Sequence, residues 1–290
     1  MAASRIRNFI VRNVLARGIG PLYRLFETVG LHVTPVHFYS PIPRTGDLTD
    51  DLFRRVSECP GVNWNADVQT AYLDEVFPKH AGEVEFTKNS GLSLADAAVL
   101  HAMIRHHKPK KMIEIGSGFS TRIAARACTM NAEDGYPCEL TAIEPYPAAF
   151  LRDGLPGLSR LIPERVQDVD LAEFADCDLL FVDSSHVVRI GGDVNREILD
   201  IVPRLKPGAI VHWHDILLPC EYWADWVKGS RLFWSEQYLL QAFLAFNHEF
   251  EILWAARYMH VNHAERVRAA LPMFEPERHR ITSFWVRRKP

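Results

Sequence analysis

Two short polar clusters carry the residues most able to do chemistry. Asp183-Ser184-Ser185-His186 follows the apolar run Leu179-Leu180-Phe181-Val182, and His212-Trp213-His214-Asp215 closes the run that begins at Ala209. Imidazole has a reference pKa of about 6.5, so His186 or His214 could take a proton from a substrate near neutrality. Asp183 and Asp215, joined by His214, could instead hold a divalent cation that lowers the pKa of a bound hydroxyl. A single histidine is usually a satisfied structural residue. Four ionisable groups at two neighbouring strand ends ask for more than a structural explanation.

A third feature lies upstream. Met112-Ile113-Glu114-Ile115 runs directly into Gly116-Ser117-Gly118-Phe119-Ser120-Thr121 and then a helical stretch from Arg122. A strand that turns through glycines into a helix exposes free backbone N–H groups and lets a ligand approach where a Cβ would collide. The third glycine of a dinucleotide fingerprint is missing, because position 121 is Thr, and Glu114 puts an acid just before the turn. A pyrophosphate would be repelled there, whereas a cationic ligand would be favoured. S-adenosylmethionine fits, with its sulfonium, its amino group and no phosphate. Glu144, ending Ala142-Ile143-Glu144, is placed to accept hydrogen bonds from ribose hydroxyls, and Asp168 to touch the adenine.

The elements that must position these residues can be read from the same texture. Apolar runs at Lys111–Ile115, Leu140–Glu144, Arg160–Ile162, Leu179–Asp183 and Ala209–Trp213 alternate with helix-length segments. That pattern predicts a parallel sheet covered on both faces, whose ligands bind beyond the carboxyl ends of its strands. A helix is expected over Ser93–His107, with Ser93 and Asp96 suited to its first turn, and another over Ser235–Phe246. Two further strand-like runs, Phe250–Ala255 and Thr282–Val286, complete the chain. Before them, residues 4–28 read as an amphipathic helix with five arginines, which can lie on an anionic membrane surface, cover its own domain or pack on a second subunit. Residues 35–65, rich in proline and turns, read as a connecting arm with a short helix near Asp50–Glu58.

The strings E-I-G-S-G-F-S-T (114–121), F-V-D-S-S-H (181–186) and L-K-P-G-A-I-V-H-W-H-D-I (205–216) resemble the class I S-adenosylmethionine-dependent methyltransferases, in the bacterial branch called methyltransferase family 24. The resemblance runs from about Phe86 to the C-terminus. It implies a doubly wound Rossmann-like α/β sheet of order 3-2-1-4-5-7-6 with the last strand antiparallel, and a division into an N-terminal extension (1–85) and a catalytic domain (86–290). It implies cofactor contacts at Glu114, Gly116, Ser117, Gly118, Glu144 and Asp168; Ser120, Thr121, Asp183 and Ser184 are further candidates for cofactor binding. It further implies O-methylation of a sugar, glycolipid or other polyhydroxylated natural product, with Mg²⁺ or another divalent cation at the two strand ends. The chain departs from the usual acid followed by Asn or Asp, carrying His214-Asp215-Ile216 instead.

Composition bounds these readings. The 290 residues carry 33 Lys and Arg against 36 Asp and Glu, a net charge of −3, so no basic field is available for nucleic acid and a small acceptor is expected. Five cysteines without a C-x-x-C pair and no apolar run long enough for a bilayer suit a cytoplasmic protein, peripheral at the inner membrane if the basic helix docks there. Aromatic residues at 213–238 (Trp213, Tyr222, Trp223, Trp226, Trp234, Tyr238, with Glu236 and Gln237) and the segment 36–43 are candidates for an acceptor pocket. Two other function classes fit parts of the pattern: a nucleotide-dependent oxidoreductase on a related fold, and a non-catalytic scaffold that retains the sheet.

Overall fold

The apolar runs become a seven-stranded sheet in the computed structural model, which describes residues 23–34, 36, 38–83, 92–275 and 279–290. The strands are β1 (Lys111–Ile115), β2 (Glu139–Ile143), β3 (Arg160–Ile162), β4 (Leu179–Val182), β5 (Ile210–Trp213), β6 (Phe250–Ala255) and β7 (Phe284–Arg288). Their order is β3-β2-β1-β4-β5-β7-β6. The first five are parallel, and β7 runs antiparallel to both β5 and β6. This is the expected doubly wound Rossmann-like arrangement.

Alternation along the strands separates two apolar layers. Met112, Leu140, Phe181, Ile210 and Trp285 face one side with α1 (Leu94–His107) and α2 (Phe119–Glu133), while Ile113, Ile115, Leu180, Val182, Val211 and Val286 face the other. Burial on both faces explains why these strands read as continuous apolar runs. The first layer also takes Tyr72, Leu73, Val76 and Phe77 from the helical turns of residues 66–80, with Phe77 edge-on to Trp254 at 4.9 Å. The second takes Leu240 and Leu244 from α3 (Glu236–Leu244). A helix the sequence reading lacks, α4 (Ala256–Ala270), follows β6 directly; of its residues only Ala256, Met259, Val267 and Ala270 are buried, too few for a recognisable apolar stripe.

Strand boundaries shift where a side chain competes for the backbone. The run expected from Thr282 begins its ladder only at Phe284, because the amides of Thr282 and Ser283 donate to the buried carboxylate of Asp96 at 3.1 Å each. Asp96 itself sits in the first turn of α1, which Ser93 caps by accepting from the Asp96 amide at 3.0 Å. The helix near residue 50 spans Asp50–Arg54, shorter than expected.

The described chain falls into two units. The larger comprises Arg54–Trp223 and Trp234–Pro290 and contains the whole sheet; its first residue precedes position 86, where the catalytic domain is expected to start. The smaller comprises residues up to Phe53 with Ala224–Phe233, inside which Lys228 meets Asp50 at 3.1 Å and lies over the Phe53 ring. Of the basic helix expected over 4–28, residues 23–28 are helical and the rest lies outside the described residues, as does the membrane or subunit contact read from it. Among the described residues no helix is long and apolar enough to cross a membrane.

Replacing Asp96 by Ala leaves two buried amides of the segment before β7 without an acceptor, each costing about 1–3 kcal/mol. Urea denaturation of Asp96→Ala is expected to show a loss of about 3 kcal/mol relative to the wild type.

Candidate functional site

The glycine turn is shaped by the strand beside it. Gly116 has φ +79°, and a Cβ there would stand 1.8 Å from the carbonyl oxygen of Asp183. The approach is held from both sides, by Gly116 N–H donating to Ile143 O (3.1 Å) and Asp183 N–H donating to Ile115 O (2.9 Å). Gly118 is different: its backbone is extended at φ −164° and a Cβ would meet nothing within 4 Å. The space over Gly118 is therefore open to an incoming group, and glycine at 116 is demanded by the fold itself.

A cavity of about 290 Å³ opens beyond the carboxyl ends of β1, β2 and β4, where the strand order reverses. Ile115, Gly116, Ile143, Glu144, Pro145, Tyr146, Val166, Gln167, Asp183 and Ser184 line it, with Arg165, Arg189 and Asp193. Glu144 accepts from the amides of Ser117 (3.3 Å) and Tyr146 (2.8 Å), which fix its carboxylate at the cavity wall. Asp168 does not reach this wall. It is paired with Arg165 at 2.8 Å on the surface, and Val166 and Gln167 line the cavity in its place.

Ser120 and Thr121 are also committed elsewhere. Ser120 Oγ donates to Glu114 Oε1 at 2.5 Å, and Thr121 Oγ1 accepts from the Gly118 amide at 3.0 Å, so both brace the turn from behind. Glu114 is fully buried beneath that turn, and its Oε2 has no partner. Burial pushes its carboxyl up to about 7, with Asp183 and Glu144 adding to the rise against the hydrogen bonds from Ser120 and Thr121. The standing negative charge expected at this position is therefore conditional: a cation nearby would draw the proton off.

The second polar cluster converges as expected, with a change of membership. His186, at φ +58°, turns its ring between strand ends: Nε2 lies 3.3 Å from Asp183 Oδ1 and 3.7 Å from Asp215 Oδ2, and Nδ1 lies 2.8 Å from Glu236 Oε2. One donor atom each from Asp183, His186 and Asp215 lies within 4.8 Å of the others, the spread of a metal-ligand triad. His214, the histidine expected to complete it, faces Thr282 Oγ1 at 3.3 Å and stands 3.7 Å from Asp215, outside that group. His212 is a core residue, buried between Phe181 and Trp285 with ring centroids 4.3 and 4.4 Å away, and burial holds it well below the usual imidazole value.

Electrostatics redistribute the roles. Burial disfavours a charged His186, but hydrogen bonds to Asp183 and Glu236 and their charges outweigh it, holding the imidazole well above its ordinary value. A raised imidazole holds its proton more tightly, which makes His186 a weaker base for the acceptor than a free histidine would be. Asp183 is held below the usual carboxylate range; burial opposes its charge, and His186 and His214 more than compensate. His214 is likewise raised, burial being outweighed by Asp215, Asp183 and Asp96. Glu197, a residue the sequence reading passed over, lies fully buried with Oε2 accepting from Ser184 Oγ at 3.0 Å. Burial, then the charges of Glu236 and Asp193, push it well up. Its sequence signal is weak, one of two acids, Glu197 and Asp200, set among Ile198, Leu199 and Ile201.

Of the expected aromatic acceptor set, Trp213 and Tyr222 are buried, the Tyr222 hydroxyl accepts from the Gln237 amide, and the Gln237 side chain accepts from the Leu217 amide at 3.1 Å, while Trp223, Trp226 and Trp234 are partly exposed and Tyr238 is exposed. The Trp234 ring lies 4.5 Å from that of His186, whose Nδ1 meets Glu236 at 2.8 Å. In the 36–43 segment, Phe38 and Tyr39 are exposed and His37 lies outside the described residues.

Comparison with known proteins follows the same outline. The sequence model of a family described as a methyltransferase domain matches residues 113–216, from β1 to just beyond β5. An uncharacterized protein of Archaeoglobus fulgidus is 34% identical over 165 residues, covering 50% of this chain and 74% of that one. Among solved structures, the O-methyltransferase TomG of Streptomyces achromogenes, in complex with S-adenosylmethionine, is 16% identical with a TM-score of 0.44, covering 78% of this chain and 97% of that one. The Podospora anserina methyltransferase PaMTH1, bound to S-adenosylhomocysteine, is 18% identical with a TM-score of 0.45, covering 78% and 95%.

The two glycines separate fold from ligand space. Gly116→Ala is expected to cost more than about 2 kcal/mol in denaturant unfolding, from a left-handed backbone and a backbone clash together. Gly118→Ala is expected to stay within about 0.5 kcal/mol of the wild type.

Proposed function

The chain belongs to the class I S-adenosylmethionine-dependent methyltransferases, and from that premise we propose that its acceptor atom is a hydroxyl oxygen on a small polyhydroxylated molecule, a sugar or natural product. The observation that carries this reading is Asp183, which belongs at once to the wall of the cofactor cavity and to the charged cluster. A hydroxyl must lose its proton as it is methylated, whereas a neutral amine attacks with its own lone pair. A buried group of carboxylates and imidazole beside the cofactor is useful for the first task. Trp234 offers an aromatic face at the cluster, which supports an acceptor with stackable C–H faces.

The residues present fit the cofactor. Glu144 retains acceptor capacity for the ribose hydroxyls, the space over Gly118 is open, and Glu114 Oε2 is a buried acceptor without a donor. When bound, S-adenosylmethionine supplies the electrophilic methyl group and a positive charge that is lost on transfer. The turn holds it in place through backbone and Glu144, and the strand ends align the acceptor, the positioning that dominates a direct displacement.

Asp183, His186 and Asp215 also fit a divalent cation. One donor atom of each lies within 4.8 Å of the others, and two carboxylates with an imidazole are donors that such an ion would take. Such an ion would supply Lewis acidity to the acceptor oxygen. The metal-free competitor rests on a specific contact, His186 Nε2 at 3.3 Å from Asp183 Oδ1, in which each group favours the charged form of the other. In that version Asp183 accepts the hydroxyl proton while His186 balances its charge.

Titration calorimetry with S-adenosylmethionine tests the cofactor reading. With the Glu114 carboxyl at about 7, binding below that pH must release its proton, so affinity is expected to rise about fivefold as pH increases from 6 to 7, about twofold more by pH 8, and to level off above. Glu114→Gln is expected to weaken binding about tenfold and flatten that dependence. An unchanged affinity in this variant removes Glu114 from cofactor binding. Chelation followed by an activity assay on polyhydroxylated acceptors is expected to abolish most turnover, with recovery on adding the ion back. Full activity after chelation selects the Asp183 mechanism.

A further inference from the structure

His186 reaches the strand ends with its ring orientation already decided. Its backbone is left-handed (φ +58°), its ring packs on Trp234, and the one strong hydrogen bond its ring makes is at Nδ1, to Glu236 Oε2 at 2.8 Å. Glu236 opens α3, fifty residues further along the chain, and is 1% exposed. A carboxyl group buried that deeply costs desolvation free energy, which the contact to His186 offsets in part. The consequence falls on the opposite nitrogen. With Nδ1–H donated to Glu236, Nε2 is directed at Asp183 Oδ1 and Asp215 Oδ2.

This is the arrangement by which proteins orient an imidazole ligand: carboxylate behind, metal in front. We infer that Glu236 is a positioning residue that fixes His186 as a nitrogen ligand, making the Asp183–His186–Asp215 site selective for a first-row transition ion such as Mn²⁺ over Mg²⁺. The inference rests on the divalent-cation reading above and adds the ion class and the residue that sets it. An all-oxygen site would suit Mg²⁺; an imidazole in the set shifts preference toward softer ions of the Mn²⁺ to Zn²⁺ series. Glu236 lies behind His186, so it touches neither acceptor nor cofactor in this scheme.

The test uses the full chain, stripped with chelator and titrated with Mn²⁺ while free ion is followed by electron paramagnetic resonance. The wild type is expected to bind one Mn²⁺ per chain, with a nitrogen coupling from one imidazole in the pulsed spectrum and little displacement by equimolar Mg²⁺. Glu236→Gln is expected to weaken Mn²⁺ binding 10- to 100-fold, while S-adenosylmethionine binding, measured by calorimetry on the same sample, stays within about threefold of the wild type. Wild-type Mn²⁺ affinity in Glu236→Gln, absence of the nitrogen coupling, or ready displacement by Mg²⁺ overturns the inference and leaves the cation reading standing. A wild type that binds S-adenosylmethionine but no Mn²⁺ and no Mg²⁺ overturns the cation reading, and this inference with it.

Discussion

The close approach of β1 and β4 at their carboxyl ends is the constraint on which the site depends. Because residue 116 lacks a Cβ, the carbonyl of Asp183 can sit where a side-chain atom would otherwise be, 1.8 Å from the ideal Cβ position. That contact makes the cofactor turn and the charged cluster one piece of structure. Asp183 is the shared residue, with its backbone against the turn and its side chain between the cavity and His186. A larger residue at 116 would push the strand end away and separate donor from acceptor, and effective concentration in a two-substrate displacement falls steeply with such misplacement.

Around that contact the protein concentrates acids that would repel one another if all were ionised. Asp183, Asp215 and Glu236 surround a single imidazole, with Glu197 close behind. The crowd is eased because its members shift in different directions: against burial, Asp183 and Glu236 raise His186 and the two histidines lower Asp183, while burial and the neighbouring acids raise Glu197. Replacing the imidazolium proton by a divalent ion adds one unit of positive charge to the same group, so a metal and a protonated His186 are alternative solutions to one electrostatic problem. The same reasoning covers Glu114, whose carboxyl at about 7 is balanced between proton and cationic ligand.

The strands and their carboxyl ends were legible because periodicity and punctuation report local structure. Lys111–Ile115, Arg160–Ile162 and Phe250–Ala255 agree residue for residue with the observed strands. Once those strands are parallel neighbours, Glu144, Asp183 and Asp215 must gather at one edge. What could not be read is direction and depth. His212 and His214 lie two apart on β5 and its end, yet one is locked between Phe181 and Trp285 and the other faces Thr282; neither joins the triad. His186 joins because of a left-handed backbone in the loop after β4, a property with no composition signature at a histidine. Glu236 was visible only as a polar residue among aromatics, and its purpose depends on a partner fifty positions earlier.

These differences follow from how each half of the site is built. The cofactor half uses backbone groups and glycines at a strand-helix junction, so its information is contiguous and a short string reveals it. The chemical half is assembled from side chains on the loops after β4 and β5 and on α3, whose relation exists only after the sheet has formed. Asp96 illustrates the dependence at one further remove: by taking the amides of Thr282 and Ser283, it sets where β7 begins and places the Thr282 hydroxyl against His214. A carboxylate in the first turn of α1, more than a hundred residues from β5, thus helps set the surroundings of His214, a relation that exists only in the folded chain.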